Sequence, residues 1–212
     1  MLEKKYFDFI REFWGNEFYD YTPEKLSNYS LNNDTSFFLL EVGLMNGYKF
    51  RHRCTIEFLE NFKIENGNYI KIGKSYAGNL YLDNDKNNVY FFEEKILENA
   101  FCNSSLSKFV LFVTIQSQIT DSYENVHDEA LEAYNCSREI IEKFKEIDPE
   151  AIYPYSYWAI IMYNYAINYF YDEDDKFEEA MKKGKYKNFE EAYFDVLFNG
   201  FEILENKIGR FE

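Results

Sequence analysis

The sequence predicts an α+β protein: a mainly antiparallel sheet of four to five strands with helices packed on one face and an extended helical C-terminal part. Three observations predict this fold. An amphipathic helical pattern opens the chain, short strand-like runs separated by turn signals follow it, and the rest of the chain has helical periodicity. A helix, a run of strands and then helices is the α+β layout.

The N-terminal segment predicts two helices. From Glu3 to Trp14, aromatic and aliphatic side chains recur on one helical face and charged side chains on the other, and Gly15 ends this helix. Thr22 then suits an N-cap and Pro23 the first helical position, which predicts a short second helix.

The middle of the chain predicts the sheet. It contains brief apolar runs typical of strands at Phe37–Leu40, Thr55–Leu59, Tyr69–Ile72, Leu80–Leu82 and Val89–Phe92. Asn66-Gly67 and the polar run from Asp83 to Asn88 are typical of hairpin connections. Because hairpins join antiparallel strands, we expect a mainly antiparallel sheet.

The remainder of the chain, from about Asn103 onward, predicts helices. Asn103–Ser105 supplies caps for one helix, another spans about Asn125 to Ile147, Pro149 starts the next, and Asn188 has capping-box spacing to Glu191 at the start of the last. No internal repeat or proline-rich linker divides the chain. We expect residues 1–122 to form the α+β core and residues 123–212 a helical part packed on it, as one compact unit.

The charge of the chain favours a basic partner. The 38 acidic and 23 basic side chains leave a formal charge of −15, which repels nucleic-acid phosphate and anionic membrane and attracts positively charged surfaces. Cys54, Cys102 and Cys136 lie far apart without a C-x-x-C, so neither a disulfide framework nor a zinc site is predicted. The N-terminus lacks the apolar stretch of a signal peptide. We therefore expect a cytoplasmic protein that binds neither nucleic acid nor membrane.

One uncharged segment, Ala151–Tyr171, has about the length of a membrane span. Its seven tyrosines, and Asn164 and Asn168 one helical turn apart, do not suit a lipid-facing helix. The segment predicts a buried helix, or a helix whose second face meets a partner.

No catalytic or metal-binding pattern stands out. The two histidines, His52 and His127, have no catalytic or ligand spacing, and no nucleotide-binding or nucleophile motif is present. Asp83, Asp85, Asn87 and Glu94 match oxygen-ligand positions of a calcium loop. Asn88 stands where the loop needs glycine, and strand-like flanks replace the required helices. A solvated hairpin turn is favoured, and we expect no enzyme activity, no cofactor and no metal.

The acidic run Asp172–Asp175 has two interpretations. Four consecutive carboxylates are typical of a solvated loop that caps the next helix. They also suit a binding site for lysine and arginine side chains of a partner. Tyrosines beside such a run can serve as anchors of an interface. The predicted partner-binding residues are Asp83, Asp85, Tyr153, Tyr155, Asp172, Glu173, Asp174 and Asp175.

Several stretches resemble the SUKH superfamily of bacterial immunity proteins, particularly its fourth subgroup. They lie between about Phe7 and Tyr165, and Met45 stands where the family usually has proline. The stretches that carry the resemblance are Phe37–Leu44, Tyr69–Gly73, Gly78–Asp83, Phe101–Phe109, Ile147–Ala151 and Tyr157-Trp158.

The resemblance implies a cytoplasmic antidote that binds a cognate toxin and blocks it. Many such toxins act on nucleic acids through basic clefts, which a chain of charge −15 suits. Two alternatives stay open. One is a non-catalytic protein-binding or regulatory module with a cellular partner, and the other is a hydrolase or transferase with carboxylates of raised pKa in a deep pocket.

Overall fold

The computed structural model describes residues 2–15, 18–50, 54–65, 68–75, 77–93, 99–123 and 129–208. The chain forms two compact units, Met1–Gln118 and Ile119–Glu212. The boundary expected near residue 122, and the packing of the helical part on the core, stay predictions.

The first unit begins with three helices and a small two-stranded sheet. These elements are α1 (Lys4–Trp14), β1 (Phe18–Tyr19), α2 (Pro23–Leu26), α3 (Asn33–Glu41) and β2 (Leu44–Met45), with β1 antiparallel to β2. The side chain of Thr22 accepts a hydrogen bond from the N–H of Lys25 at 3.3 Å. The two predicted N-terminal helices and the predicted N-cap are therefore confirmed.

The strand predicted over Phe37–Leu40 is wrong, because this run lies within α3. Asn32 caps the helix, since its side-chain oxygen accepts the N–H of Thr35 at 2.8 Å. The consecutive residues Phe38 and Leu39 are both buried. A helix can bury two neighbours on one face, whereas a strand points them to opposite faces.

The main sheet is an antiparallel meander in which each strand pairs with the next along the chain. Within the described residues it has six strands, β3 (Gly47–Phe50), β4 (Cys54–Glu65), β5 (Tyr69–Lys74), β6 (Gly78–Asp83), β7 (Val89–Glu93) and β8 (Asn99–Asn103). The predicted α+β class with a mainly antiparallel sheet is confirmed, and β3 and β8 are strands that the local pattern did not predict. The polar run after β6 forms the expected turn into β7. The Asn66-Gly67 turn, His52 and His127 lie outside the described residues.

The two faces of the sheet differ. One face carries the buried side chains of Ile70, Leu80 and Leu82. The helix α4 (Leu106–Ser122) packs against the sheet, with the ring of Phe109 6.3 Å from that of Phe58 on β4. The opposite face carries the alternate residues of the same strands, as the period of two requires.

The second unit is helical. Its elements are α5 (Glu129–Ile147), a 3₁₀ turn (Pro149–Ala151), α6 (Tyr157–Asp172), α7 (Asp174–Lys182), α8 (Phe189–Asn199) and α9 (Glu202–Ile208). The predicted cap of α8 is confirmed, because the Asn188 side chain accepts the N–H of Glu191 at 2.8 Å. The single last helix that the sequence predicts is interrupted at Gly200. This glycine has φ +89°, and a Cβ there would lie 2.2 Å from the Arg138 side chain.

Aromatic rings form the core of this unit. Phe144 of α5 meets Trp158 of α6 at 5.3 Å, and Phe170 of α6 stacks on Tyr193 of α8 at 4.9 Å. Within the described helices, no stretch combines sufficient length and apolar character to traverse a bilayer.

Candidate partner-binding surface

The predicted site residues fall into two groups, one in each unit. Asp83 is the last residue of β6, and Asp85 lies in the turn between β6 and β7. The carboxylate of Asp83 accepts backbone N–H bonds from Asp85 at 3.0 Å, Lys86 at 2.6 Å and Asn88 at 3.2 Å. Asp83 therefore shapes the turn, whereas the Asp85 side chain is exposed.

The calcium alternative involves the same turn. Within the described residues, no group of three or more histidine, cysteine or acidic side chains is arranged to hold a metal ion. Glu94, the last residue of the calcium-loop spacing, lies outside the described residues. The strands β6 and β7 flank the turn, as the hairpin interpretation expects.

The other six predicted residues lie in the second unit. Tyr153 and Tyr155 precede α6, and Asp172–Asp175 joins α6 to α7. The N–H of Ser156 donates to the carbonyl of Tyr153 at 3.0 Å, and the side chain of Ser156 caps α6. With Pro154 second and a positive φ third, this turn has the pattern of a type II turn.

Tyr155 occupies the position of this turn where glycine is favoured. Its φ is +70°, in the left-handed region that costs a bulky L-residue about 1–2 kcal/mol. The side chain is 47% exposed, and its ring lies 4.5 Å from that of Phe194 on α8. Partial burial and the carboxylates of Glu190 and Glu191 raise the pKa of the Tyr155 hydroxyl.

The members of the acidic run differ in their neighbours. Glu173 pairs with Lys176, while Asp172, Asp174 and Asp175 are exposed. Burial and the nearby carboxylate of Asp174 raise the pKa of Tyr193 on α8 to about 12. Asp174 is therefore the member of the run whose charge acts on α8.

Tyr163 on α6 links these residues into one surface. Its ring stacks 5.2 Å from Phe194 and 6.1 Å from Tyr193. Burial, Tyr171 and Glu190 raise the pKa of its hydroxyl. We define the tyrosine–acid surface by the residues Tyr155, Tyr163, Tyr171, Tyr193, Asp174, Glu190 and Glu191.

The outward face of α6 adjoins this surface. It carries Ile160, which is 43% exposed, Tyr171, which is 59% exposed, and the exposed Asn164 and Asn168. The opposite face buries Met162 and its neighbours in the core. One face of α6 is thus buried and the other is exposed, and the binding of a partner to the exposed face stays a prediction.

A comparison with known families identifies the chain. A model of the SUKH-4 immunity protein family matches residues 9–164. The chain belongs to the SUKH-4 immunity protein family. The predicted resemblance is confirmed, and the family assigns the chain a role in immunity against a toxin. No curated protein and no solved structure gives a significant match.

The SUKH-4 match includes part of the tyrosine–acid surface. Tyr155 and Tyr163 lie within the matched residues, whereas Asp174 and Glu190 follow them. Glu190 is not among the site residues predicted from the sequence, in which α8 has only an amphipathic pattern. The sequence feature that could have indicated Glu190 is the acidic pair Glu190-Glu191 in the first turn of α8, directly after its cap.

The face of the SUKH-4 sheet opposite to Ile70, Leu80 and Leu82 carries a second aromatic cluster, which was not predicted from the sequence. Tyr69 lies 5.0 Å and Tyr81 4.9 Å from the ring of Phe92. Two lysines on this face pair with glutamates, Lys74 with Glu57 at 2.9 Å and Lys71 with Glu65 at 3.9 Å. The sequence signal for this cluster is the presence of aromatic residues at alternate positions of neighbouring strands, which places their rings on one face of the sheet. This face therefore combines an aromatic cluster with the ion pairs of Lys71 and Lys74.

The hydrolase alternative requires a carboxyl group of raised pKa. Two carboxyl groups of the described residues have a lowered pKa: Glu24, through a backbone hydrogen bond, and Asp195. Although burial opposes ionisation of Asp195, hydrogen bonds from Lys207 and other residues hold its pKa below the usual range. These two groups favour the ionised carboxylate, whereas a general acid near neutral pH needs the opposite shift.

Proposed function

We propose that this protein is a bacterial immunity protein that binds a cognate polymorphic toxin and neutralises it by occluding the toxin's active site. The observation that carries the proposal is the family match over residues 9–164. In this role the protein catalyses no reaction and needs no cofactor, because occlusion requires only a stable complex. It acts in the cytoplasm, where the targets of an intracellular toxin lie.

Charge supports a basic toxin that acts on nucleic acid. A cleft that binds phosphate presents lysine and arginine, and a chain with a formal charge of −15 complements it. Complementary fields accelerate encounter by about 10- to 1,000-fold at low salt. The same charge disfavours binding of this protein itself to nucleic acid or anionic membrane.

The proposed contact residues follow from exposure and charge. Tyr153, 49% exposed, and Tyr155 supply aromatic anchors, and Asp172–Asp175 and Asp85 supply carboxylates. Asp83 contributes by holding the turn that presents Asp85. Aromatic anchors with a polar rim are the usual composition of a tight interface.

The test is co-expression with the toxin encoded by the neighbouring gene, followed by purification of the complex. We expect the chain to rescue growth and to copurify with the toxin in a fixed ratio. The association rate constant should fall about tenfold or more between roughly 0.05 M and 0.5 M salt, because salt screens the steering field.

Two outcomes would contradict the proposal. If the neighbouring gene encodes no toxic protein and no protein copurifies from the native host, the immunity function is wrong. If a non-toxic host protein copurifies instead, the chain is a regulatory or protein-binding module of the same fold.

A further inference from the structure

We propose that Glu190, flanked by Tyr155 and Tyr163, binds an arginine side chain of the toxin. This inference rests on the proposed function and specifies one contact of the partner. Its occupant is a guanidinium group, because a planar cation stacks on tyrosine rings while its N–H groups donate to a carboxylate.

The geometry places three groups around one point on α8. Glu190 is one helical turn before Phe194, so their side chains lie on the same side of the helix. The rings of Tyr155 and Tyr163 lie 4.5 Å and 5.2 Å from the ring of Phe194. Phe194 is buried and forms the base, while Glu190 is exposed beside the two tyrosines.

The electrostatics agree with this geometry. After burial, the Glu190 carboxylate is among the causes that raise the pKa of both Tyr155 and Tyr163. Its negative potential therefore reaches both hydroxyl groups. At neutral pH both tyrosines stay protonated, and their rings remain suitable for stacking with a cation.

Glu190 differs from the carboxylates of α7. Glu178 pairs with Lys182 at 2.9 Å and Glu179 with Lys183 at 2.7 Å. In the part of the chain that the structure describes, no lysine or arginine forms an ion pair with Glu190. A carboxylate that lies beside two aromatic rings and forms no ion pair with the described lysines and arginines complements a cation from a partner.

The backbone at Tyr155 supports a role for its ring beyond the turn. The turn itself favours glycine, because φ at this position is +70°. Tyrosine therefore makes the turn less favourable, yet it places a ring over Phe194 with 47% of the residue exposed. A second copy of the chain is a poor occupant, since each copy carries a charge of −15.

The experiment measures the affinity of the toxin for variants of the full chain. Glu190→Gln removes one charge at the site, and Glu12→Gln, an exposed position of α1, removes the same charge elsewhere. We expect Glu190→Gln to weaken binding about tenfold or more, because charge-assisted bonds are the strong ones, and Glu12→Gln to weaken it less than about twofold. Equal effects of the two variants would overturn the inference while the immunity function stands.

Tyr155→Gly separates binding from folding. Glycine relieves the positive φ, so we expect a thermal midpoint close to that of the unmodified chain and a loss of affinity of about tenfold or more. A large drop in the thermal midpoint with unchanged affinity would make Tyr155 a packing residue and contradict the inference.

A toxin-independent measurement keeps the inference falsifiable if no toxin binds. A short peptide with one arginine, acetyl-Gly-Arg-Gly-amide, is titrated into the full chain and followed by the ring-proton NMR signals of tyrosine. We expect shifts of Tyr155 and Tyr163 that the Glu190→Gln variant lacks. Absence of these shifts, or identical shifts in the variant, would overturn the arginine site whatever the fate of the immunity function.

Discussion

Asn87 provides the strongest test of how the first unit is held together. It is fully buried in the turn between β6 and β7 and has φ +59°. Its side-chain oxygen accepts the N–H of Asn32 at 2.6 Å, and its side-chain nitrogen donates to the carbonyls of Ser30 at 3.2 Å and Asp83 at 3.0 Å. One side chain therefore joins the turn to the loop before α3.

Asn87→Ala should lower the free energy of unfolding by about 4 kcal/mol. Loss of the three hydrogen bonds, one of which leaves the N–H of Asn32 without its acceptor, costs about 3 kcal/mol. Alanine at a positive φ costs about 1 kcal/mol more, whereas asparagine tolerates this conformation. The free energy of unfolding is measured by urea titration followed by circular dichroism, and we expect the variant to have a lower urea midpoint and an unaltered m value.

Asn87→Gly is the matched control, because glycine lacks the side chain but accepts the positive φ. We expect it to lower the free energy of unfolding by about 3 kcal/mol, about 1 kcal/mol less than alanine. Lys86→Ala, at an exposed position of the same turn, should change it by less than about 0.5 kcal/mol. If Asn87→Ala costs less than about 1 kcal/mol, the hydrogen bonds of Asn87 do not hold the turn.

Two further predictions use the same urea assay. A Cβ at Gly78 would lie 2.0 Å from a backbone oxygen of β7, so Gly78→Ala should lower the free energy of unfolding by more than about 3 kcal/mol. Gly184 has open space around it and φ +66°, so Gly184→Ala should lower it by only about 1 kcal/mol. Similar losses in the two variants would refute the steric argument. The pKa of Asp195 is lowered in the fold although burial opposes its ionisation, because Lys207 and Tyr186 donate hydrogen bonds at 2.7 and 2.6 Å. The ionised group therefore stabilises the fold above its unfolded pKa of about 4, and this contribution is lost as pH falls through the folded pKa. Asp195→Asn should thus destabilise the protein more at pH 7 than at about pH 3, and an equal effect at both would contradict this coupling.

Local signals predicted many of the elements correctly. The caps at Thr22 and Asn188 and the turn after β6 act over a few residues, so the sequence reveals them without knowledge of the rest of the fold. The run Phe37–Leu40 was misassigned because four consecutive apolar residues fit either a strand or one face of a short helix. Its cap, Asn32, was the signal that favoured a helix.

The candidate surface was only partly predictable. Tyr155 and Asp174 are among the residues predicted to face a partner, and that role stays a prediction; both belong to the tyrosine–acid surface. Glu190 and Tyr163 were not predicted, since each is an ordinary residue of an amphipathic pattern. Their position follows from the packing of α6 on α8 through Phe194, a contact between residues far apart in the chain.

The sequence by itself determined the fold class, the net charge and the SUKH-4 family, because local periodicity, composition and motif order depend on neighbouring residues and on totals. Only the tertiary structure decided which carboxylates keep an exposed charge beside aromatic rings and which pair with lysines. That outcome depends on how the helices pack, and helix packing brings together side chains whose separation along the chain carries no periodic signal.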